Sequence, residues 1–448
     1  MYDIYNNRIA PEQIPWTPFE SVPSRQDVTD YFTSRSPRNL PPIPANANAS
    51  PSPIKWTMAR HKPSGLPPYA GVSNVKSVDL LDSKKPQVLV TDMRYGHILL
   101  MLLNPLETLV LGKVKHPAHA EIVDLNLDGH QDVLVADLGT VTPSDEKSGS
   151  IVWLKGTGQH LFYRKVLASN LGRVTDARAA DFDGDGDLDV VAAVFGWRKS
   201  GRIIWLENLS TNDDDPHFII HDIDPRPGAI HVPIHDLNDD GRPDFIALIS
   251  QQFETIVAFI NQGGGTFESK VIFTAPHPNW GSSGIDLVDL DNDGDQDLLY
   301  ANGDSLDDRL LKPYHGISWI ENKGQLNFQH HPLIKLYGAH IAKAGDFDGD
   351  GDLDIAACAF LPIIAPGTIE SHRIASLVWL EQIASGDFRQ HRIETGNGSH
   401  PTLDVADFDQ DGDQDILVGN MTLAQNQLDQ IEHWIQIWTN GRITPLGR

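Results

Sequence analysis

Cysteine is nearly missing from this chain: Cys358 stands alone among 448 residues. One thiol excludes an internal disulfide, a cysteine-based zinc site and a CxxCH haem attachment. Long apolar runs are missing as well. The best stretch, 97–114, is broken by Asn104, Pro105 and Glu107, and a membrane helix needs about 18 uninterrupted residues. The first residues, MYDIYNNRIAPEQ, show no basic start followed by an apolar core, so they do not read as a secretory signal. Basic residues are outnumbered, 35 against 61 acids, for a formal charge of −26. That argues against a nucleic-acid partner, which requires a basic face. With 40% hydrophobic residues the chain is not disordered as a whole.

The acids are unevenly spread. Of the 61, 27 fall in six nine-residue segments, leaving 34 against 35 Lys and Arg elsewhere. The segments are DLNLDGHQD (124–132), DFDGDGDLD (181–189), DLNDDGRPD (236–244), DLDNDGDQD (289–297), DFDGDGDLD (346–354) and DFDQDGDQD (407–415). All fit D-x-[DN]-x-D-G-x-x-D, and successive starts lie 57, 55, 53, 57 and 61 residues apart. A decayed copy, DLLDSKKPQ, opens at Asp79, with Leu81, Ser83 and Lys84 where oxygen ligands and glycine belong. A period of this length marks a repeat architecture.

A short apolar run follows each motif (VLVADL, VVAAVF, FIALIS, LLYANG, IAACAF, ILVGNM). These runs are too short for ordinary helices and read as buried strands. A second strand follows (IVWLKG, IIWLEN, IVAFIN, ISWIEN, LVWLEQ, IQIWTN), then a third, and a short run before each motif supplies the fourth. Four strands in each of seven units predict an all-β, seven-bladed propeller of antiparallel blades with six intact loops. IKWTMARH (54–61) resembles an outer strand yet precedes the first repeat, so it is expected to complete the last blade. The propeller then spans 54–448, and the proline-rich residues 1–53 are expected to form an extended arm or linker, with a partner protein as one use for it.

Oxygen ligands at positions 1, 3 and 5, glycine at 6 for the turn and Asp at 9 suit calcium, which takes six to eight oxygens at about 2.3–2.6 Å. An EF-hand needs Glu at position 12 and flanking helices, and magnesium rarely uses an all-protein cage. A metal-free acidic turn is the bland alternative, and six copies in register weigh against it. The chain resembles the FG-GAP/VCBS repeat family, calcium-loop propellers that include the integrin α-subunit head, over about residues 54–446. The FG signature itself survives only as Phe195-Gly196. The resemblance implies calcium between the first and second strands of a blade, on the lower face. The implied ligands are Asp124, Asn126, Asp128 and Asp132; Asp181, Asp183, Asp185 and Asp189; Asp236, Asn238, Asp240 and Asp244. The other three loops offer Asp289, Asp291, Asp293 and Asp297; Asp346, Asp348, Asp350 and Asp354; and Asp407, Asp409, Asp411 and Asp415, for up to six calcium ions.

The loops between strands two and three then lie on the upper face, and they vary most. Their candidate ligand-binding residues are Trp197, Arg198, Arg309, Tyr314, His315, His372 and Arg373. Long loops on a rigid scaffold concentrate function, although solvated loop residues are the commoner outcome. His61, His221, His331 and His391 recur in the outer-strand pattern and read as packing. His119, His231, His340 and His400 stand 5, 5, 6 and 7 residues before a motif, with Asp176 at the 5-residue offset between the first two. Converging at the channel mouth, these five could form a catalytic site or bind a transition metal. Cys358 reads as inert and buried.

Two function classes follow. One is an extracytoplasmic calcium-binding propeller holding a carbohydrate or protein ligand on its upper face. The other is a carbohydrate lyase or dehydratase with a histidine-lined site at the channel mouth. Calcium loops that fill only at millimolar concentrations point outside the cytosol, with an export signal lying beyond this chain.

Overall fold

The computed structural model describes residues 50–69, 71–81, 85–210, 216–306, 310–361, 373–423 and 433–441, together with Ser24, Gln26 and Asp30. Two compact units are present, Met1–Pro44 and Ala45–Arg448. In the first, Gln26 donates to Asp30 at 2.7 Å. The rest of the segment read as an arm, up to residue 49, lies outside the described residues, as does the tail ITPLGR. In the second unit no described helix is long and apolar enough to cross a membrane.

The second unit is a seven-bladed β-propeller with four-stranded antiparallel blades. The innermost strands are Val72–Val78, Pro117–Val123, Val174–Ala180, Ala229–His231 with Ile234–His235, Ser282–Val288, Ala339–Gly345 and Thr402–Ala406. Each runs into an Asp-rich loop, or its decayed copy, and then into a fully buried second strand. Second strands lack polar alternation because both of their faces are covered. Val190, Ala192 and Val194 pack toward blade two, while Val191 and Ala193 pack toward blade four. Seven such clusters fill the seven interfaces between blades, including the one that joins blade seven to blade one through Trp434, Ile435 and Leu99.

Blade seven takes its outer strand from the start of the ring. Lys55–His61 pairs antiparallel with Ile435–Gly441 over seven residues. The Trp434 amide donates to His61 O at 2.9 Å, and its indole donates to Pro67 O at 3.1 Å. Just upstream, Ser50–Pro51 adds a short parallel strand to the edge of blade six.

Six innermost strands carry a β-bulge, with register shifts such as Val72/Asn74, Val174/Asp176 and Ala339/Ile341. In three blades the bulged residue is a hydroxyl that staples its blade to the next. Ser73 donates to Pro117 O (2.7 Å), Thr175 to Ala229 O (2.9 Å) and Ser283 to Ala339 O (2.8 Å). In blade four, Pro233 cannot donate to the ladder, and the innermost strand splits around it.

Candidate functional site: lower-face loops, central channel and upper face

Each intact loop is built by its own carboxylates. The first Asp accepts the amide of the glycine at position 6, from Asp236–Gly241 at 2.7 Å to Asp346–Gly351 at 3.2 Å. That glycine has φ between 84° and 99° in all six loops, a conformation open to glycine at little cost. The closing Asp works as a clip. One oxygen accepts the amide of the second loop residue, as from Leu125 at 3.0 Å. The other accepts an amide of strand three, as from Asn322 at 2.7 Å. Burial pushes these closing carboxyls up, to about 6 for Asp132, Asp297 and Asp415 and about 7 for Asp189 and Asp354.

The donor set is all oxygen, as a calcium site requires. Among the described residues, four groups have carboxylate oxygens all within 4.8 Å of one another: Asp181, Asp183 and Asp189; Asp289, Asp291 and Asp297; Asp346, Asp348 and Asp350; Asp407, Asp409 and Asp415. These groups could hold a metal ion. In the decayed first loop, Gln87 stands where the closing Asp belongs. Its amide donates to Asp79 at 3.0 Å and accepts from Leu80 and Leu81, so a neutral side chain keeps the loop half of the clip.

Charged side chains of the innermost strands pair from blade to blade at the central channel. Three residues before each motif, the innermost strands carry Lys76, Glu121, Arg178, Asp286, Lys343 and Asp404, interrupted only by Pro233 in blade four. Their signs alternate around the ring, and they pair between blades. Lys76 meets Glu121 at 2.7 Å, Arg178 meets Glu121, and Lys343 meets Asp286. Burial alone would lower Lys343, but Asp286 and Asp404 reverse that and raise it. The charge of Asp286, two blades on, also helps raise Arg178.

One tier above, His119 and His231 flank Asp176. His119 Nδ1 lies 2.9 Å from Asp176 Oδ1, and His231 Nδ1 lies 3.9 Å from Oδ2. Arg178 Nε reaches Oδ1 at 3.0 Å, and the Val232 amide donates to Oδ2 at 3.0 Å. Arg178 Nη2 is 3.2 Å from His119 Nε2. A guanidinium can only donate, so His119 Nε2 accepts from Arg178. Burial would raise Asp176, yet Arg178 and His119 hold it well below the usual carboxylate range. Burial likewise lowers His119.

The structure brings His119, Asp176 and His231 together at the channel mouth. Arg178 reaches both Asp176 Oδ1 and His119 Nε2, while His119 Nδ1 faces Asp176 at 2.9 Å without a well-formed hydrogen bond. His340 occupies the bulge position, one residue out of register with His119 and His231. Its ring lies 5.3 Å from that of Phe360, and burial with the nearby charge of His231 drives it down to about 4. A one-residue shift in a bulged strand redirects a side chain. His400 is fully buried elsewhere. Its Nε2 lies 2.8 Å from Glu394 and 3.1 Å from Asn397, and its Nδ1 lies 3.3 Å from Gly419 O.

Upper-face residues fare unevenly. Arg198 stacks over Trp197 at 3.8 Å. The backbone amides of Arg198, Lys199 and Ser200 converge on Asp145 from the neighbouring blade's loop at 2.9–3.1 Å. Tyr314 is half-buried and lies parallel to Trp280, with centroids 4.8 Å apart and 5° between planes. His277 stands edge-on to both. His315, expected to be presented to ligand, is 1% exposed and lies beneath its loop instead. Arg373 is exposed, while Arg309 and His372 lie outside the described residues. Trp280 and His277 were not among the expected residues, because they precede an innermost strand rather than sit in the long loops. Their signal was the aromatic pair in PHPNW. The outer-strand histidines pack on tryptophan. The pairs His221–Trp205, His331–Trp319 and His391–Trp379 lie 4.6, 5.0 and 4.6 Å apart, and each histidine meets a glutamate of strand three.

The fold and its loops define a repeat propeller built on Asp-rich hairpins. The family of FG-GAP-like repeats matches residues 124–192 and 236–300, and the chain carries those repeats. Among solved structures, it resembles the crystal structure of BBS1N in complex with ARL6DN, soaked with mercury. The TM-score is 0.52 at 10% identity, over 88% of this chain and 99% of that one. A lead-soaked crystal of the same complex gives 0.47 at 11% identity, with the same coverage. The first likeness concerns the fold alone.

Proposed function

We propose that this chain is a binding module: a propeller braced by calcium on its lower face that holds a ligand on its upper face. One observation carries the choice of binding over catalysis. At the channel mouth Arg178 takes up Asp176 Oδ1 and His119 Nε2, whereas blade five presents the flat aromatic pair Trp280 and Tyr314. Stacked rings suit the apolar face of a sugar, so carbohydrate is the ligand class put first. A protein ligand is the second reading, favoured by a propeller of similar fold, BBS1N, having been crystallised with ARL6DN. Millimolar affinity, common in calcium modules outside the cell, favours an extracytoplasmic location.

A glycan array and a lyase screen, each run in calcium and in EGTA, test this reading. Binding should be lost at least tenfold in a Trp280→Ala, Tyr314→Ala double variant that melts like the parent. Turnover of a polysaccharide abolished by His119→Ala, with binding unaffected by the double variant, would favour the enzyme instead.

A further inference from the structure

The six intact loops are not alike. Position 7 is Asp in four of them (Asp187, Asp295, Asp352, Asp413), and those four also carry Asp at position 3. They are the loops of blades three, five, six and seven, which hold the four tight carboxylate groups. The loops of blades two and four differ at both places. They carry Asn126 and Asn238 at position 3, and His130 and Arg242 at position 7.

In those two loops the protein supplies a cation. Lys155 Nζ lies 3.5 Å from Asp128 in blade two, and Arg242 pairs with Asp240 in blade four. Lys155 comes from strand three, at the place where blades three, five and six carry Glu207, Glu321 and Glu381. Arg242 is fixed from behind by its own Nε, which donates to Asn261 O at 2.8 Å. The asparagine amides add to this. Asn126 Nδ2 donates to Asp128 at 2.8 Å, and Asn238 Nδ2 donates to Asp240 at 2.9 Å. The position-5 carboxylate, which a calcium ion would need, is therefore turned to protein donors in both loops.

We propose that the loops of blades two and four take their counter-charge from Lys155 and Arg242 rather than from a metal, so that the chain holds four calcium ions and not six. The first and third motifs persist as turns whose folding does not depend on calcium. Affinity in such loops falls with the number of ligand charges. Exchanging one carboxylate for an amide and adding a cation beside another removes two units of negative charge from the site. This inference rests on the calcium reading above, and its test separates the two.

Calcium bound to the full chain is counted by elemental analysis after dialysis at about 0.1–1 mM free calcium, the range of extracellular modules. The parent should hold four ions. An Asn126→Asp, Lys155→Glu variant, which gives blade two the position-3 and strand-three residues of blade three, should hold five. Asn238→Asp with Arg242→Asp should likewise add one. Melting in EGTA checks that each variant still folds, and a variant that does not is replaced by Lys155→Ala, which should raise occupancy of that loop. Six ions of uniform affinity in the parent would overturn the proposal and leave the calcium reading intact. No bound calcium in parent or variants would overturn both.

Discussion

The two faces of this propeller are made by different rules. On the lower face, one nine-residue loop recurs six times, with the same first carboxylate gripping the same glycine amide and the same closing carboxylate clipped to strand three. On the upper face and in the channel, each blade contributes something different. Arg178 comes from blade three, a bulged His340 from blade six, the Trp280–Tyr314 pair from blade five, and Asp145 reaches across from blade two. Repetition serves a structural purpose that every blade shares. Variation marks contacts made once, which is where a ligand would be recognised.

The sharpest way to break that comparison is to open the ring on which both faces depend. Removing residues 1–62 takes away the outer strand of blade seven and should abolish a single cooperative melting transition, while removing 1–44 should leave it close to the parent. Calorimetry decides. Equal transitions for both truncations would mean that Lys55–His61 is not needed for closure.

A smaller effect is expected in the channel. Asp176→Asn leaves Arg178 and Glu121 in place but removes the buried charge that His119 and Arg178 face. Breaking such a pair costs about 3–5 kcal/mol. The sign of the pH dependence follows from the depressed carboxyl. Its stabilisation is complete above the ordinary Asp value of about 3.9 and is lost as pH falls toward its lower folded value. Parent and variant should therefore converge below about pH 4, followed by urea unfolding across pH. A constant gap between them would show that the charge is not what matters.

The smallest effect belongs to the upper face. Asp145→Ala leaves three amides of the neighbouring blade without their acceptor and should cost about 1–3 kcal/mol. The loss should be confined to the loops 139–148 and 195–201, where hydrogen exchange would quicken. Exchange that quickens around the whole ring would mean that these loops are as integral as the lower-face hairpins.

Much of the architecture was legible because it repeats. Seven periods, the apolar second strands and the Asp-Gly loops each have one local cause, and a periodic cause shows in a one-dimensional string. The candidate channel site was only partly legible. His119, Asp176 and His231 share a 5-residue offset, and they do meet around Asp176. His340, at an offset of 6, lies at the strand bulge against Phe360, and His400, at 7, is held by Glu394. Arg178, the residue that ties the network together, went unread, although six innermost strands carry a charge three residues before the motif. That ring of alternating sign becomes visible only when the strands are aligned on their loops.

From the sequence alone came the class of fold, the number of blades, the place of the Asp loops and the oxygen chemistry of their donors. Each follows from backbone turn geometry and strand burial within one repeat. The tertiary structure decided which charges face one another. Asp176 is an ordinary acid in the string, and becomes a buried anion between two histidines only when three blades close around the channel. Lys155 likewise looks like a surface cation until the fold brings its strand beside a loop carboxylate. Electrostatic partners are set by distance in space, and Lys155, 27 residues from Asp128 along the chain, reaches it only through the fold.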